Sequence, residues 1–384
     1  MSLKLVHRQI AALKWRDFLR RINRQTVAWH DEIFSWAEGF NEHQLPTGLF
    51  EDVLSRFRGR CTNLSSLRFL VHLPPVEVSP GGFSLFGNLV QGLNFVGVPA
   101  RSLEWDQPIE SVLRDFQPNV LLTSDSSTYL EKIDWPSLQQ YRRKRYLKLA
   151  LTASLEQYGN TPLQQRLNWA ENNGVDFYYS FRCQEYLHER PEYAAFYDAG
   201  YKILSVEFGA NPLVYYPLNG IERDIPYVFL ASSNPDKWCR YFKYLPTVLS
   251  KYPGFINGPG WSWSKKSAPP SLHRRLYARA LVGINLHLSD SIEWASELNE
   301  RTYILAACGV PQVVDSALLL PERFSKDAFF VARTPKEYVE QFEYALSDRK
   351  EAERRASIAM KEVLEKHTCF HRAESFARQV FEIF

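Results

Sequence analysis

Several residues with useful chemistry stand at the ends of short apolar runs, where a buried strand would deliver its last side chain to a binding edge. His72 lies near the end of "LRFLVHLPP" (67–75), and Asp125 closes "QPNVLLTSD" (117–125). Either can take a proton from a substrate hydroxyl as a general base, although an aspartate there also caps the helix that follows. Ser232 and Ser233 follow the run in "IPYVFLASSN", and hydroxyls with backbone N–H groups at such a turn can cradle phosphate. Asn285 and His287 sit the same way in "INLHLS". For His287 the competing reading is a histidine satisfied inside the core. Gly81 and Gly82 would form the turn after the first strand, where the lack of a Cβ lets backbone approach a ligand closely. No Asp-x-Asp pair occurs in the chain, so the carboxylate couple that holds a divalent cation on a diphosphate is missing, and no metal is expected.

The elements that must carry these residues follow from the hydrophobic pattern. Residues 1–66 read as helices: Leu3, Val6, Ile10 and Leu13 keep helical spacing, continued with a drift by Trp15, Phe18, Leu19 and Ile22. From residue 67 the pattern changes to strand, glycine turn, helix and strand, with Phe86, Leu89, Val90, Leu93 and Phe95 as the buried stripe of the helix. That is a parallel βαβ unit. "RYLKLALTAS", "VDFYYSFR" and "YKILSVEFGANPLVYYPL" continue the alternation. A second series starts near "IPYVFLASSNPDKWCRYFKYLPTVLSKYP" (225–253) and runs through "GFINGPGW", "LVGINLHLS" and "DAFFVAR". The expectation is an α/β chain with two doubly wound, Rossmann-like domains facing a cleft, at residues 67–217 and 218–365. An N-terminal helical extension precedes them (1–66), and a C-terminal helix (366–384) packs back on the first domain. Ligands of such sheets bind at the C-terminal ends of the strands.

Composition narrows the class. The 384 residues carry a net charge of +3, too little to indicate a nucleic-acid partner by itself. The basic run "RRKRYLK" (142–148) reads as a solvated helix face. Five scattered cysteines without a Cys-x-x-Cys pair point to a reducing compartment and against a structural zinc site. No apolar run approaches the roughly 18 residues of a membrane span, and the N-terminal charges argue against a signal peptide. The expected location is cytoplasmic. Residues 1–25 hold Lys4, Arg8, Lys14, Arg16, Arg20, Arg21 and Arg24 against Asp17. A basic amphipathic helix of this kind could touch the inner membrane face, or it could pack on the body with its basic face in water.

The stretch "NERTYILAACGVPQVVD" (299–315) joins these observations to a family. Gly309 suits a helix end that needs positive φ, Pro311 blocks continuation, and "QVV" begins the next strand. Ala306 and Ala307 let that helix approach its neighbours closely. Together with "FLASSNPDKWCRYFKYL", "INGPGW", "FSKDAFFVARTPKEYVEQFEYALSD" and "HTCFHRAESF", the stretch resembles GT-B glycosyltransferases, in their spore-maturation-protein-like branch related to family 4. The resemblance covers about residues 200–380. It implies a helix N-terminus directed at the diphosphate of a UDP- or GDP-linked sugar donor, with no other cofactor. Lys237 and Arg240 match the family's basic positions, and Arg301 lies just before the small-residue helix; such cations stabilise the leaving group. Gly258, Gly260 and Trp261 resemble the turn at the nucleotide pocket, and Asn299 belongs to the "LNER" segment.

The chain departs from the family at one point. Relatives carry a glutamate four residues before the motif cysteine, where it bonds ribose hydroxyls; here Ile304 stands there, and Ser296 holds the partner carboxylate position. Glu297 and Glu300, with Glu293, are the nearby acids able to substitute. The expected function is therefore metal-independent, hexosyltransferase-like transfer from a nucleotide sugar to a glycan or lipid-linked acceptor, in a bacterial polysaccharide setting. His72 and Asp125 are the base candidates. The alternatives are a non-catalytic GT-B protein that binds nucleotide or glycan, and a membrane-peripheral assembly factor acting through its N-terminal helices.

Overall fold

A computed structural model describes residues 13–41, 47–155, 161–233 and 235–384. The chain forms two compact units, one of residues 52–211 with 367–384 and the other of residues 1–51 with 212–366. Residues 1–12, and with them Lys4 and Arg8 of the basic N-terminal segment, lie outside the described residues.

The first unit is built on a six-stranded parallel sheet: β1 Phe69–Leu73, β2 Ala100–Glu104, β3 Val120–Thr123, β4 Lys148–Thr152, β5 Phe177–Ser180 and β6 Ile203–Ser205. Their order is β2-β1-β3-β4-β5-β6. The central strands are apolar except at or next to their ends, as expected of strands covered on both faces; β3 is buried at every position. The helix Pro80–Val96 packs on β1 and β2, and the helix Cys369–Phe381 packs on that helix in turn. Gly92 permits the contact, since a Cβ there would lie 3.0 Å from the Cys369 carbonyl oxygen and 3.1 Å from the Ala373 Cβ.

One local expectation is corrected. Gly81 and Gly82 do not form the turn after β1: the helix begins at Pro80, with Ser79 as its N-cap accepting from the Gly82 N–H. Proline at the first helical position and a serine cap outweigh two glycines as helix-start signals.

The second unit holds a five-stranded parallel sheet of β7 Ile225–Leu230, β8 Phe255–Asn257, β9 Ala280–Asn285, β10 Gln312–Asp315 and β11 Phe330–Ala332, in the order β11-β10-β9-β7-β8. The helix Pro335–Ser347 covers β9, β10 and β11. The helix Glu300–Ala307 packs on β9, β10 and the long helix Arg349–Lys366. Its approach to β9 requires Gly283, where a Cβ would fall 2.7 Å from Leu305. Gly309, at φ +62, turns the chain out of that helix.

The N-terminal segment belongs to this second unit. Residues 13–21 are helical. Trp15, Phe18 and Ile22 enter the same core as β7, β9 and the helix Pro235–Tyr244, while Lys14, Arg16, Arg20 and Arg21 stay exposed. The helix Arg24–Gly39 packs on β8, where His30 stacks on Phe255 at 5.2 Å. Leu13 at the edge of the described apolar face is exposed, but Trp15, Phe18 and Ile22 are buried against the protein, which favours packing over a membrane anchor.

Both sheets share one topology: the second strand lies outside the first, and the third lies on its other side. The strand order reverses between β1 and β3, and again between β7 and β9. Crossovers leave these two gaps in opposite directions, which opens a crevice at the strands' C-terminal ends.

Candidate functional site

At the β7/β9 crevice the chain leaves Leu230, passes Ala231, Ser232 and Ser233, and enters the helix Pro235–Tyr244. The loop after β8 lies directly against this turn. The Ala231 N–H donates to the Asn257 carbonyl at 2.9 Å, and the Ser233 N–H to the Pro259 carbonyl at 2.8 Å. Two glycines make that approach possible. Gly258 has φ +143, and a Cβ there would run into the Ala231 backbone; Gly260 has φ +86, and a Cβ there would overlap the Ser233 hydroxyl. The roles of these glycines are thus steric and conformational. The intervening Ser232 N–H has no acceptor among the described residues.

Two cations sit beside it. Lys237 Nζ donates to Ser232 Oγ at 3.0 Å. Arg301 donates from Nε to the Leu230 carbonyl at 3.1 Å and lies over the Phe229 ring at 5.1 Å. Burial, and then the positive charge of Arg301, push the Lys237 amine down to about 8. A free N–H at the start of a helix, flanked by two cations that repel one another, is an arrangement that an anion stabilises.

Behind these groups runs a buried polar network. Asn299 caps the helix Glu300–Ala307, accepting from the Thr302 N–H. Its amide donates to Asn285 Oδ1 at 2.9 Å, and Asn285 donates to Thr302 Oγ1 at 2.9 Å and to Gln312 Oε1 at 3.1 Å. His287 contacts Asp315 through Nδ1 at 2.6 Å and Thr302 through Nε2 at 3.1 Å. Arg240 donates to Asp315 at 2.6 Å. Burial works to raise the Asp315 carboxyl, but His287 and Arg240 outweigh it and hold it below the usual carboxylate range. Asn285, His287 and Arg240 are therefore engaged inside the protein, and both ring nitrogens of His287 have partners. Asp315, Thr302 and Gln312 complete a network that no motif in the sequence marks. The one sequence signal for them was a carboxylate closing the apolar run "QVVD".

Trp261 is also placed differently from its expected role at a ligand pocket. It is 2% exposed, packs among Trp15, Tyr241 and Trp263, and donates from its indole to the Ala231 carbonyl at 2.6 Å. Ile304 and Ser296 are buried, and the Ser296 hydroxyl has no hydrogen-bond partner among the described residues. Glu297 is buried too, whereas Glu300 in the first turn of its helix is half-buried.

In the first unit, the β1/β3 crevice holds His72 and Asp125. His72 is fully buried, with Nδ1 2.9 Å from Thr123 Oγ1 and no partner on Nε2 among the described residues. Burial pushes its imidazole down to about 4, so the ring is neutral at physiological pH. Its ring meets those of Trp105 and Tyr129, each at 6.0 Å. Gly82 sits under Tyr129, whose hydroxyl would lie 2.5 Å from a Cβ at that position. Asp125 is committed otherwise: it pairs with buried Arg166 and accepts from Thr152 Oγ1 at 2.8 Å and from the Ser154 N–H at 3.2 Å.

Known proteins agree with this architecture. The model of a family described as glycosyl transferase-like matches residues 244–378. Among solved structures, the chain is similar to T4 phage β-glucosyltransferase in complex with its UDP-glucose substrate (TM-score 0.52, 10% identity, 82% of this chain and 98% of that one). The same enzyme in complex with UDP and Mn2+ gives a TM-score of 0.53 at 9% identity, covering 82% and 98%. A sucrose-phosphate synthase from Thermosynechococcus elongatus gives 0.54 at 12% identity, covering 82% of this chain and all of the other. No curated protein matches the chain by sequence. The fold is GT-B: two parallel sheets of six and five strands flanked by helices. A glycosyl transferase-like stretch lies on it.

Proposed function

We propose that the chain is a glycosyltransferase that takes a UDP- or GDP-linked sugar as donor and transfers the sugar, without a metal, to a glycan or lipid-linked acceptor. The observation that carries this reading is the cluster at the end of β7, where the unengaged Ser232 N–H, the Ser232 hydroxyl, Lys237 and Arg301 converge. A diphosphate there receives a backbone donor, a helix N-terminus and two positive charges. Those groups also stabilise the negative charge that develops on the leaving phosphate. The T4 phage enzyme, similar in fold, is one that binds UDP-glucose.

Ser233, Gly258 and Gly260 shape the loop that presents these groups. Asn299 and the Asn285–His287–Asp315–Arg240 network hold the adjoining helix. Glu297 and Glu300 are the acids proposed to bond the ribose. Of the base candidates, His72 is favoured, because it keeps a ring nitrogen without a partner whereas the Asp125 carboxylate is held by Arg166.

The competing reading, a protein of this fold that binds nucleotide or glycan without transferring sugar, draws on Ile304 and Ser296 at the expected carboxylate positions. Calorimetry with UDP and GDP, followed by a donor-hydrolysis assay, separates the two. Arg301→Ala should weaken nucleoside-diphosphate binding by about 1.5–3 kcal/mol, the worth of a charged hydrogen bond. An unchanged Kd in both Arg301→Ala and Lys237→Ala overturns the diphosphate assignment. Binding without turnover favours the non-catalytic reading.

A further inference from the structure

Three aromatic side chains take the three successive carbonyls of the Ala231–Ser233 turn. Trp261 Nε1 donates to the Ala231 oxygen at 2.6 Å, the Tyr241 hydroxyl to the Ser232 oxygen at 3.0 Å, and Trp238 Nε1 to the Ser233 oxygen at 2.7 Å. The N–H groups on either side of Ser232 are engaged by Asn257 at the end of β8 and by Pro259 in the loop after it. Among the described residues, what remains of the turn's backbone polarity without a partner is the single N–H of Ser232. That N–H shares a peptide group with the Ala231 carbonyl. A donor on that oxygen draws electron density toward it and makes the N–H a stronger donor in its turn.

Two of the three aromatic donors pack on a residue far away in sequence, and the third packs on one of those two. The Trp15 ring stacks on Trp238 at 4.9 Å with 5° between the planes, and lies 5.2 Å from Trp261. Tyr241 stacks on Trp261 in turn at 6.1 Å. Trp15 is 7% exposed and belongs to the helical residues 13–21, which lie outside the βα series of the sheet.

We propose that Trp15 is a positioning residue for the diphosphate site: the N-terminal helix braces Trp238 and Trp261, which with Tyr241 hold the Ala231–Ser233 carbonyls so that the Ser232 N–H is kept for an anion. The inference rests on the diphosphate reading given above and extends it to a segment that touches no ligand. It also gives residues 13–22 a task other than membrane attachment. Interlocked side chains transmit a displacement because protein interiors are close-packed and yield little. A loop donor a few tenths of an ångström out of place then loses much of its hydrogen bond.

The test is calorimetric titration of the full chain with UDP and with GDP, with melting temperature measured on each variant. Trp238→Phe and Tyr241→Phe keep the rings and remove one donor each; each should raise Kd by about threefold to tenfold, the range of a lost hydrogen bond. Trp15→Ala should raise it by about tenfold or more, and Trp15→Phe, which keeps a stacking ring, by less than about threefold. Phe342→Leu is the control: that ring is buried in the same core but contacts Tyr227 and Tyr252 rather than the turn. It should lower the melting temperature and leave Kd unchanged. If Trp15→Ala and Trp238→Phe weaken binding no more than Phe342→Leu does, the brace is refuted while the diphosphate site stands. If Trp15→Ala does not fold, Trp238→Phe and Tyr241→Phe decide on the same criterion. If the unaltered chain binds neither nucleotide at millimolar concentration, the diphosphate reading fails first and the brace with it.

Discussion

The depressed amine of Lys237 turns the diphosphate proposal into a statement about pH. Burial and the neighbouring Arg301 hold this lysine at about 8, below its ordinary 10.5. A bound diphosphate would place negative charge beside it and restore the charged form. The sign follows directly. Below pH 8 the free protein already carries the charged lysine and binding takes up no proton. Above pH 8 binding must first protonate the amine, so affinity falls. A group of pKa 8 is about nine-tenths protonated at pH 7 and about one-tenth at pH 9, so Kd should rise by about tenfold over that interval. The slope should approach one decade per pH unit above pH 8. Calorimetry in two buffers of different ionisation enthalpy adds a second readout: proton uptake on binding near zero at pH 7 and close to one at pH 9. Lys237→Arg should abolish both effects, because a guanidinium stays charged throughout. A Kd that is flat from pH 7 to 9.5 in the unaltered protein would refute the placement of the phosphate at Lys237, whatever the absolute affinity.

Other expectations can be checked with the same preparation. With Ile304 buried where relatives read ribose, removal of the 2′-hydroxyl should cost under about tenfold in affinity, roughly 1.4 kcal/mol. A larger loss would transfer ribose recognition to Glu297 or Glu300, and glutamine at each position would show which. Sugar transfer or donor hydrolysis should survive EDTA, since no paired-carboxylate motif is present to hold a cation; abolition restored by manganese would contradict the proposed chemistry. His72 and His273 are both pushed by burial to about 4. Between pH 4 and 6.5 the unfolded chain then binds more protons than the folded one, so stability rises with pH across that window. It should fall on acidification by up to about 3 kcal/mol per histidine. His72→Gln should flatten that fall in a urea-melt series, and an unchanged slope would mean the ring is not held neutral.

Much of the architecture was legible in order and spacing. Short apolar runs separated by helical stretches define parallel sheets, because a strand covered on both faces cannot carry polar side chains except at its ends. For the same reason His72, Asp125, Ser232 and His287 could be placed at strand ends without a structure. Gly309 and Pro311 marked the end of a helix through backbone sterics alone, and the φ of +62 at Gly309 agrees. Local signals misled where two competed: Gly81 and Gly82 suggested a turn, and Ser79 with Pro80 started a helix there instead.

What tertiary structure decided is which polar groups remain available. A residue type says what a side chain can donate or accept; only the fold says whether a partner already holds it. Asp125 is held by Arg166, His287 by Asp315 and Thr302, and Arg240 by Asp315. Each of those partners lies 15 to 75 residues away. The strand order of each sheet belongs to the same class, because nothing in the run of βα units says on which side of the first strand the third is laid. So does the place of Trp15, more than 200 positions before the Trp238 ring it stacks on. A hydrophobic period shows that such a ring will be buried. What it packs on is decided by close packing among segments remote in sequence.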